Sequence, residues 1–199
     1  GGRGSGAAEQ AVRAGYMLGV PTELVAVCDI LPERAKNAQR RFNESNNNVV
    51  RENSNITDEM VFDGLDGFQK LIDVDDVNYV ILATHPGFRP LQFEAAVKAG
   101  KQVFTEKPVG TDPAGIKRFM DAARMSEEKK LSVVAGTQRR HEKSYVDTLK
   151  KIHDGAIGDI MTLRAYWQGG PVINQRSNQP EGMSDLEWQV RDWYSYIWI

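Results

Sequence analysis

The chain has 199 residues, 41% of them hydrophobic and 26% charged, a balance that fits one large globular domain or one and a half. Lys+Arg 25 against Asp+Glu 27 leave a net charge of -2, which gives no electrostatic basis for a nucleic-acid or membrane partner. Cys28 is the only cysteine, and the three histidines (His85, His141 and His153) are scattered, so neither a disulfide framework nor a metal-ligand spacing is present.

Glycines crowd the stretch from Gly1 to Gly6, and the small and apolar residues Ala8, Ala11, Val12, Gly15 and Met17 then predict a helix over Ala7–Leu18. Glu23–Asp29 reads as a strand ending in an acid. Pro32 opens a helix through Asn43, a position where proline is tolerated. The polar run from Asn46 to Asn55 predicts a loop. A short strand at Met60–Phe62 and a short helix around Phe68, Leu71 and Ile72 follow. Val77–Thr84 is a strand whose Val80, Ile81, Leu82 and Ala83 form an unbroken apolar run, stopped by His85-Pro86-Gly87. Leu91–Ala99 is a helix closed by Gly100. Lys101–Thr105 is a buried strand, and Asp112-Pro113 opens a helix with an N-cap acid and a first-turn proline. Leu131–Ala135 is a further strand, ending at Gly136.

Strand and helix alternate throughout this part, and the apolar strands fit a sheet covered on both faces. The fold class is therefore α/β, a doubly wound parallel sheet. The pattern changes after Gly136. A helix over Glu142–His153 leads to a strand over Ile160–Trp167, in which Met161, Leu163, Ala165 and Trp167 alternate with more polar residues. Gln168–Ser184, rich in Gly, Pro and Asn, reads as a loop. The expected division is a first domain over 1–136 and the start of a second over 137–199. The chain opens without Met and closes on an aromatic run, Trp193 to Ile199, so both ends read as cut from a longer protein.

A glycine-rich turn before a helix, with an acid ending the next strand, is the arrangement that binds dinucleotides. Glycines let backbone N–H groups approach a pyrophosphate, and the helix N-terminus favours its charge. Asp29 would bond the ribose hydroxyls, which favours NAD over NADP. Two registers are open. Gly2-x-Gly4-x-x-Ala7 lies inside the chain; alternatively Gly1 and Gly4 are the last two glycines of a motif. Glu106-Lys107-Pro108 sits where the strand ending at Thr105 stops, the end of a parallel sheet at which ligands bind. A lysine amine that is buried or set beside a cation is shifted toward its neutral, proton-accepting form.

Gly-Gly-Arg-Gly at the start, Val27-Cys28-Asp29, Ala83-Thr84-His85-Pro86, and Gly100-Lys101-Gln102-Val103 with Glu106-Lys107-Pro108 together resemble the Gfo/Idh/MocA oxidoreductases. Ala135-Gly136-Thr137-Gln138-Arg139-Arg140-His141 is similar to a subgroup of that family. The resemblance selects the second glycine register. It implies a Rossmann domain whose first strand is missing here, followed by the beginning of an α/β substrate and dimerisation domain. It implies NAD held by Gly1, Gly2, Arg3, Gly4, Asp29, Thr84, Glu106 and Lys107, and a sugar or polyol contacted by Lys107, Arg139, Arg140 and His141. Lys107 would be the catalytic group, Pro108 would follow a cis peptide, and the full-length protein would form a homo-oligomer, a dimer or tetramer. A transient-oxidation glycosidase that recycles NAD, or a non-catalytic NAD- or sugar-binding protein, are the alternatives. The run His85-Pro86-Gly87-Phe88-Arg89-Pro90 departs from the family's usual Pro-Asn or Pro-Pro with a later His. The family's Asp and His of the substrate domain would fall after Ile199.

Cys28 reads as a small apolar filler, His85 as a residue that shapes its loop, and His153 as a helix C-terminal cation. Tyr166 and Trp167 read as core or interface aromatics more readily than as a sugar platform.

Overall fold

The computed structural model describes residues 1–169 and 178–199. It divides into two compact units, Gly1–Ala135 with Trp198, and Gly136–Ile197 with Ile199.

In the first unit, helix α1 (Gly2–Leu18) buries Ser5, Ala8, Val12 and Gly15, a spacing of three and four that forms one helical stripe. Strand β1 (Val27–Asp29) follows, then α2 (Pro32–Asn43), the short α3 (Asn48–Glu52), β2 (Val61–Asp63) and α4 (Gly67–Ile72). Strand β3 (Tyr79–Leu82), α5 (Arg89–Lys98), β4 (Gln102–Thr105), α6 (Pro113–Glu128) and β5 (Val133–Ala135) complete it. All strand pairs are parallel. The helix stop expected at Gly100 is present: φ is 75° there. The Gly100 and Lys101 amides donate to the carbonyls of Val97 and Ala96, both at 3.0 Å, which closes α5. Asp112 caps α6 by accepting from the Gly115 amide at 2.8 Å.

Three expectations change. The glycine stretch is not a separate turn, because helix α1 already begins at Gly2. The Asn-rich run is not all loop: Asn47 accepts from the Val50 amide at 3.2 Å and caps α3, whose Val50 is buried. The sheet is two ladders, β2–β1 and β3–β4–β5, rather than one. Among the described residues no strand bridges β1 and β3, which leaves the two ladders separate.

The larger core joins Ile72, Val80, Leu82, Phe93, Val97, Val103 and Phe119. Phe93 and Phe119 stack with centroids 4.1 Å apart and rings 17° from parallel, locking α5 against α6. A smaller cluster of Ala8, Val27, Phe42, Val50 and Ile56 lies under α1, α2 and α3.

The second unit contains a 3₁₀ turn at Gln138–His141, α7 (Lys143–His153) and α8 (Asp185–Arg191), capped by Ser184 accepting from the Glu187 amide. No residue of α7 is buried. The strand expected over Ile160–Trp167 is absent; residues 160–167 lie in no helix or strand, with Met161, Leu163, Tyr166 and Trp167 exposed. A strand exists only as a pair, and residues 160–167 pair with none of the described strands. Most of the expected Gln168–Ser184 loop lies outside the described residues. Among the described residues no helix is long and apolar enough to cross a membrane, and no His/Cys/Asp/Glu group could hold a metal ion.

Phe93 is fully buried. Phe93→Ala should therefore destabilise the protein by about 3–5 kcal/mol. Urea unfolding should show this as a lower midpoint with an unchanged slope; a loss under about 1 kcal/mol would mean that the α5–α6 stack is not the centre of the core.

Candidate active site

Register brings the site residues to one end of the three-stranded ladder. Leu82 pairs with Thr105, so the Ala83-Thr84 and Glu106-Lys107 segments leave the sheet side by side. The Glu106 amide extends that ladder by donating to the Leu82 carbonyl at 2.9 Å. Gly4, in the first turn of α1, sits over the same end. A Cβ built on it would lie 3.3 Å from the Ala83 Cβ, whereas Gly1, Gly2 and Gly6 have open space. The close approach of helix to strand is the demand made of the last glycine in a dinucleotide fingerprint, and it favours the register in which Gly4 holds that place.

Arg3, also in the first turn of α1, reaches across this end. Its Nε donates to Glu106 Oε1 at 2.5 Å. The Glu106 side chain is 7% exposed and that of Arg3 57%, so a buried carboxylate meets a largely solvated guanidinium. The β1 ladder ends at Asp29, whose Oδ1 accepts from the Leu31 amide at 3.2 Å and whose Oδ2 lies 3.1 Å from the Gly1 nitrogen. A carboxylate beside the start of α1 is positioned as the ribose-binding acid of such a site would be. Thr84 donates its hydroxyl to Gln92 Oε1 at 2.6 Å.

Lys107 is exposed and precedes a cis peptide to Pro108. Burial of its amine, one of the routes expected from the sequence, is not supplied by the described residues. The reason is local: Thr105 and Glu106 are buried, but the chain turns outward at Lys107. Two groups went unrecognised in the sequence. One is Gln92, the partner of Thr84. The other is Arg89, 5% exposed, whose Nη1 donates to the Glu106 carbonyl at 3.0 Å and to the Pro108 carbonyl. Burial lowers the affinity of Arg89 for its proton, and the Glu106 charge opposes that effect. The available signal was a basic residue at the first helical position ahead of Pro90.

The His85 imidazole is held neutral, its pKa pushed down to about 4, first by burial and then by Arg34, with Asp29 opposing and Arg89 adding. The Cys28 thiol is pushed up to about 12, first by burial and then by Asp29.

Arg139, Arg140 and His141 lie on the 3₁₀ turn of the second unit, all exposed. Arg139 donates to Tyr145 Oη at 3.1 Å and to Glu142 Oε2 at 3.4 Å, and its guanidinium stands 5.1 Å from the Tyr145 ring centroid and 5.8 Å from that of Trp167. Both hydrogen bonds leave from Nη1, which is thus engaged within its own unit.

Residues 2–135 match the family model of the Gfo/Idh/MocA oxidoreductases, described as an oxidoreductase family with an NAD-binding Rossmann fold. The chain belongs to this family. Among its Gfo/Idh/MocA relatives is an inositol 2-dehydrogenase/D-chiro-inositol 3-dehydrogenase of Halalkalibacterium halodurans, 34% identical over 137 residues, which covers 65% of this chain and 38% of that protein. A glycosyl hydrolase family 109 protein of Streptomyces coelicolor is 26% identical over 137 residues, 69% of this chain and 27% of the relative. The fold also matches the crystal structure of scyllo-inositol dehydrogenase from Lactobacillus casei with bound NAD(H) and scyllo-inositol. The TM-score is 0.51 at 25% identity, over 68% of this chain and 34% of that one. The chain spans roughly a third of the length of these relatives.

The shift of His85 makes a pH prediction with a definite sign. The unfolded chain takes up the imidazole proton near 6.5 and the folded chain near 4, so between these values the unfolded state binds more protons. This contribution to stability is complete above pH 6.5 and is lost as pH falls toward 4. An NMR titration of the His85 ring should find its midpoint near 4, and His85→Gln should flatten the loss of stability across that window. A midpoint near 6.5 would show an imidazole in contact with water.

Proposed function

We propose that the intact protein is an NAD-dependent oxidoreductase that transfers hydride from a hydroxyl-bearing carbon of a sugar or polyol, with Lys107 handling the hydroxyl proton. The observation that carries the reading is the placement of Lys107 at the carboxyl end of β4, beside the Thr84 segment and under the first turn of α1, in a chain of an NAD-binding oxidoreductase family. The close fit of Gly4 on Ala83 and the Asp29 carboxylate beside the start of α1 suit a dinucleotide. The N-terminal amides of α1 with Gly1, Gly2, Arg3 and Gly4 would hold its pyrophosphate, Asp29 its adenosine ribose, and Thr84, Glu106 and Lys107 its nicotinamide half. NAD, when bound, supplies the hydride acceptor.

The rest of the chemistry belongs to the chain. Lys107 Nζ takes the proton of the hydroxyl as the C–H bond gives up its hydride, leaving a carbonyl on the substrate and an ammonium on the lysine. Glu106, buried and bonded to Arg3, fixes the segment from which Lys107 projects. In this reading Arg139, Arg140 and His141 contact substrate hydroxyls, residues 1–136 form the cofactor domain and 137–199 begin the substrate domain, and the intact protein is a dimer or tetramer. The inositol dehydrogenases among the relatives favour a cyclic polyol. Likeness to a glycosyl hydrolase family 109 protein keeps one second reading, a glycosidase that oxidises its sugar transiently and restores it. Net NADH accumulation identifies the dehydrogenase; cleavage without it identifies the glycosidase.

In the full-length protein, Lys107→Ala should lower kcat by about 10²–10⁴. Affinity for NAD, measured calorimetrically, should change by less than about threefold. Turnover that survives the substitution would remove Lys107 from the chemistry.

A further inference from the structure

Neither its helix nor the core accounts for Arg89. It is the first residue of α5, where a cation opposes the helix dipole. The side chain is 5% exposed. Its Nε is buried without a hydrogen-bond partner. An apolar side chain of similar size would carry none of these costs.

What the guanidinium does reach is the pair of carbonyls of Glu106 and Pro108, both through Nη1. Those residues are the two neighbours of Lys107 in the chain. One donor therefore grips the backbone before and after the lysine while leaving its side chain untouched. Pro90 continues the contact to Gly110 of the same loop and to Gly115 in the first turn of α6: a Cβ on either would lie 3.2 Å from Pro90 Cγ. The start of α5 thus seats the whole segment between β4 and α6. Glu106 supplies the opposite charge that offsets the burial of Arg89.

We infer that Arg89 is the positioning residue for Lys107: its guanidinium bridges the carbonyls on either side of the lysine and fixes the point from which the amine projects. The inference rests on the reading of Lys107 given under Proposed function. A guanidinium that only stabilised the loop would reveal itself in the unfolding midpoint and leave turnover per folded molecule unchanged.

The test uses the full-length protein carrying Arg89→Ala or Arg89→Lys, with NAD and inositol as the probe substrate. The first readout is the backbone heteronuclear NOE of the Lys107 amide, with the core amide of Ala96 as reference. In the unsubstituted protein Lys107 should be as ordered as Ala96. In Arg89→Ala it should loosen while Ala96 does not, and added guanidinium below denaturing concentrations should restore part of the order. The second readout is kinetic: kcat should fall by about 100-fold, with KM for NAD within about threefold. Arg89→Lys keeps the charge and one donor; it should show a smaller loss in both readouts, and it carries the test if Arg89→Ala does not fold. A Lys107 amide as ordered in the folded variants as in the unsubstituted protein overturns the inference, whatever the activity. Loosening without a loss of kcat reduces the contact to loop stabilisation and overturns the positioning role, whereas Lys107's own part in the chemistry is read from Lys107→Ala, so the two readings fail separately.

Discussion

The constraint on which this site depends is the burial of Glu106. A carboxylate taken out of water must be met by hydrogen bonds and opposite charge, or it destabilises the fold by several kcal/mol. Glu106 is met from two sides. Arg3 reaches it from the first turn of α1, and the cationic Arg89 lies close enough to feel its charge. Its own amide is held by the end of β3. One buried side chain and one peptide therefore bring α1, β3, β4 and α5 to a common point. Because Arg3 is more than half exposed, the ion pair is screened, and its chief contribution is geometric: it fixes where the helix begins relative to the end of the strand.

Most of the first unit was legible because its signals are local. Gly100 ends α5 because the chain must turn through positive φ there, and Asp112 starts α6 because a carboxylate can accept from the amide three residues on. The apolar run Val80–Leu82 reads as a buried strand and is one. Where the residues alone left two glycine registers open, a distance favours one, since of Gly1, Gly2 and Gly4 only Gly4 would set a Cβ against a neighbour. The Asn-rich run misled because asparagine serves loops and caps equally. Asn47 caps a helix whose single deeply buried residue, Val50, is too little apolar pattern to reveal it. Arg89 was hidden for a different reason. Its partners are carbonyls 17 and 19 residues away, and a carbonyl leaves no trace in sequence.

The second unit shows what periodicity does and does not specify. Alternation over residues 160–167 describes a segment able to form a strand with one apolar face. A strand needs a partner, and this segment pairs with none of the described strands, so the same side chains stand in solvent. The apolar face of α7, carrying Val146 and Leu149, is likewise uncovered. Against this, the first unit closes two hydrophobic clusters of its own. The difference follows from burial: a pattern becomes a structure when the chain also carries the surface that completes it, and the first unit carries nearly all of its own.

The site divides its tasks between backbone and side chain. The backbone on both sides of Lys107 is fixed by buried groups, through the Glu106 amide before it and the Arg89 guanidinium across it. Its side chain is left in solvent. Proton transfer in the proposed reaction needs both a set position and the exclusion of water, and only the first is built into these residues. The second has to arrive with what the site binds: a nicotinamide ring and a substrate would cover the lysine from the side that the strand ends leave open. Position is then a property of the fold and dryness a property of the complex. In the proposed reaction such a lysine would act only once both ligands are in place.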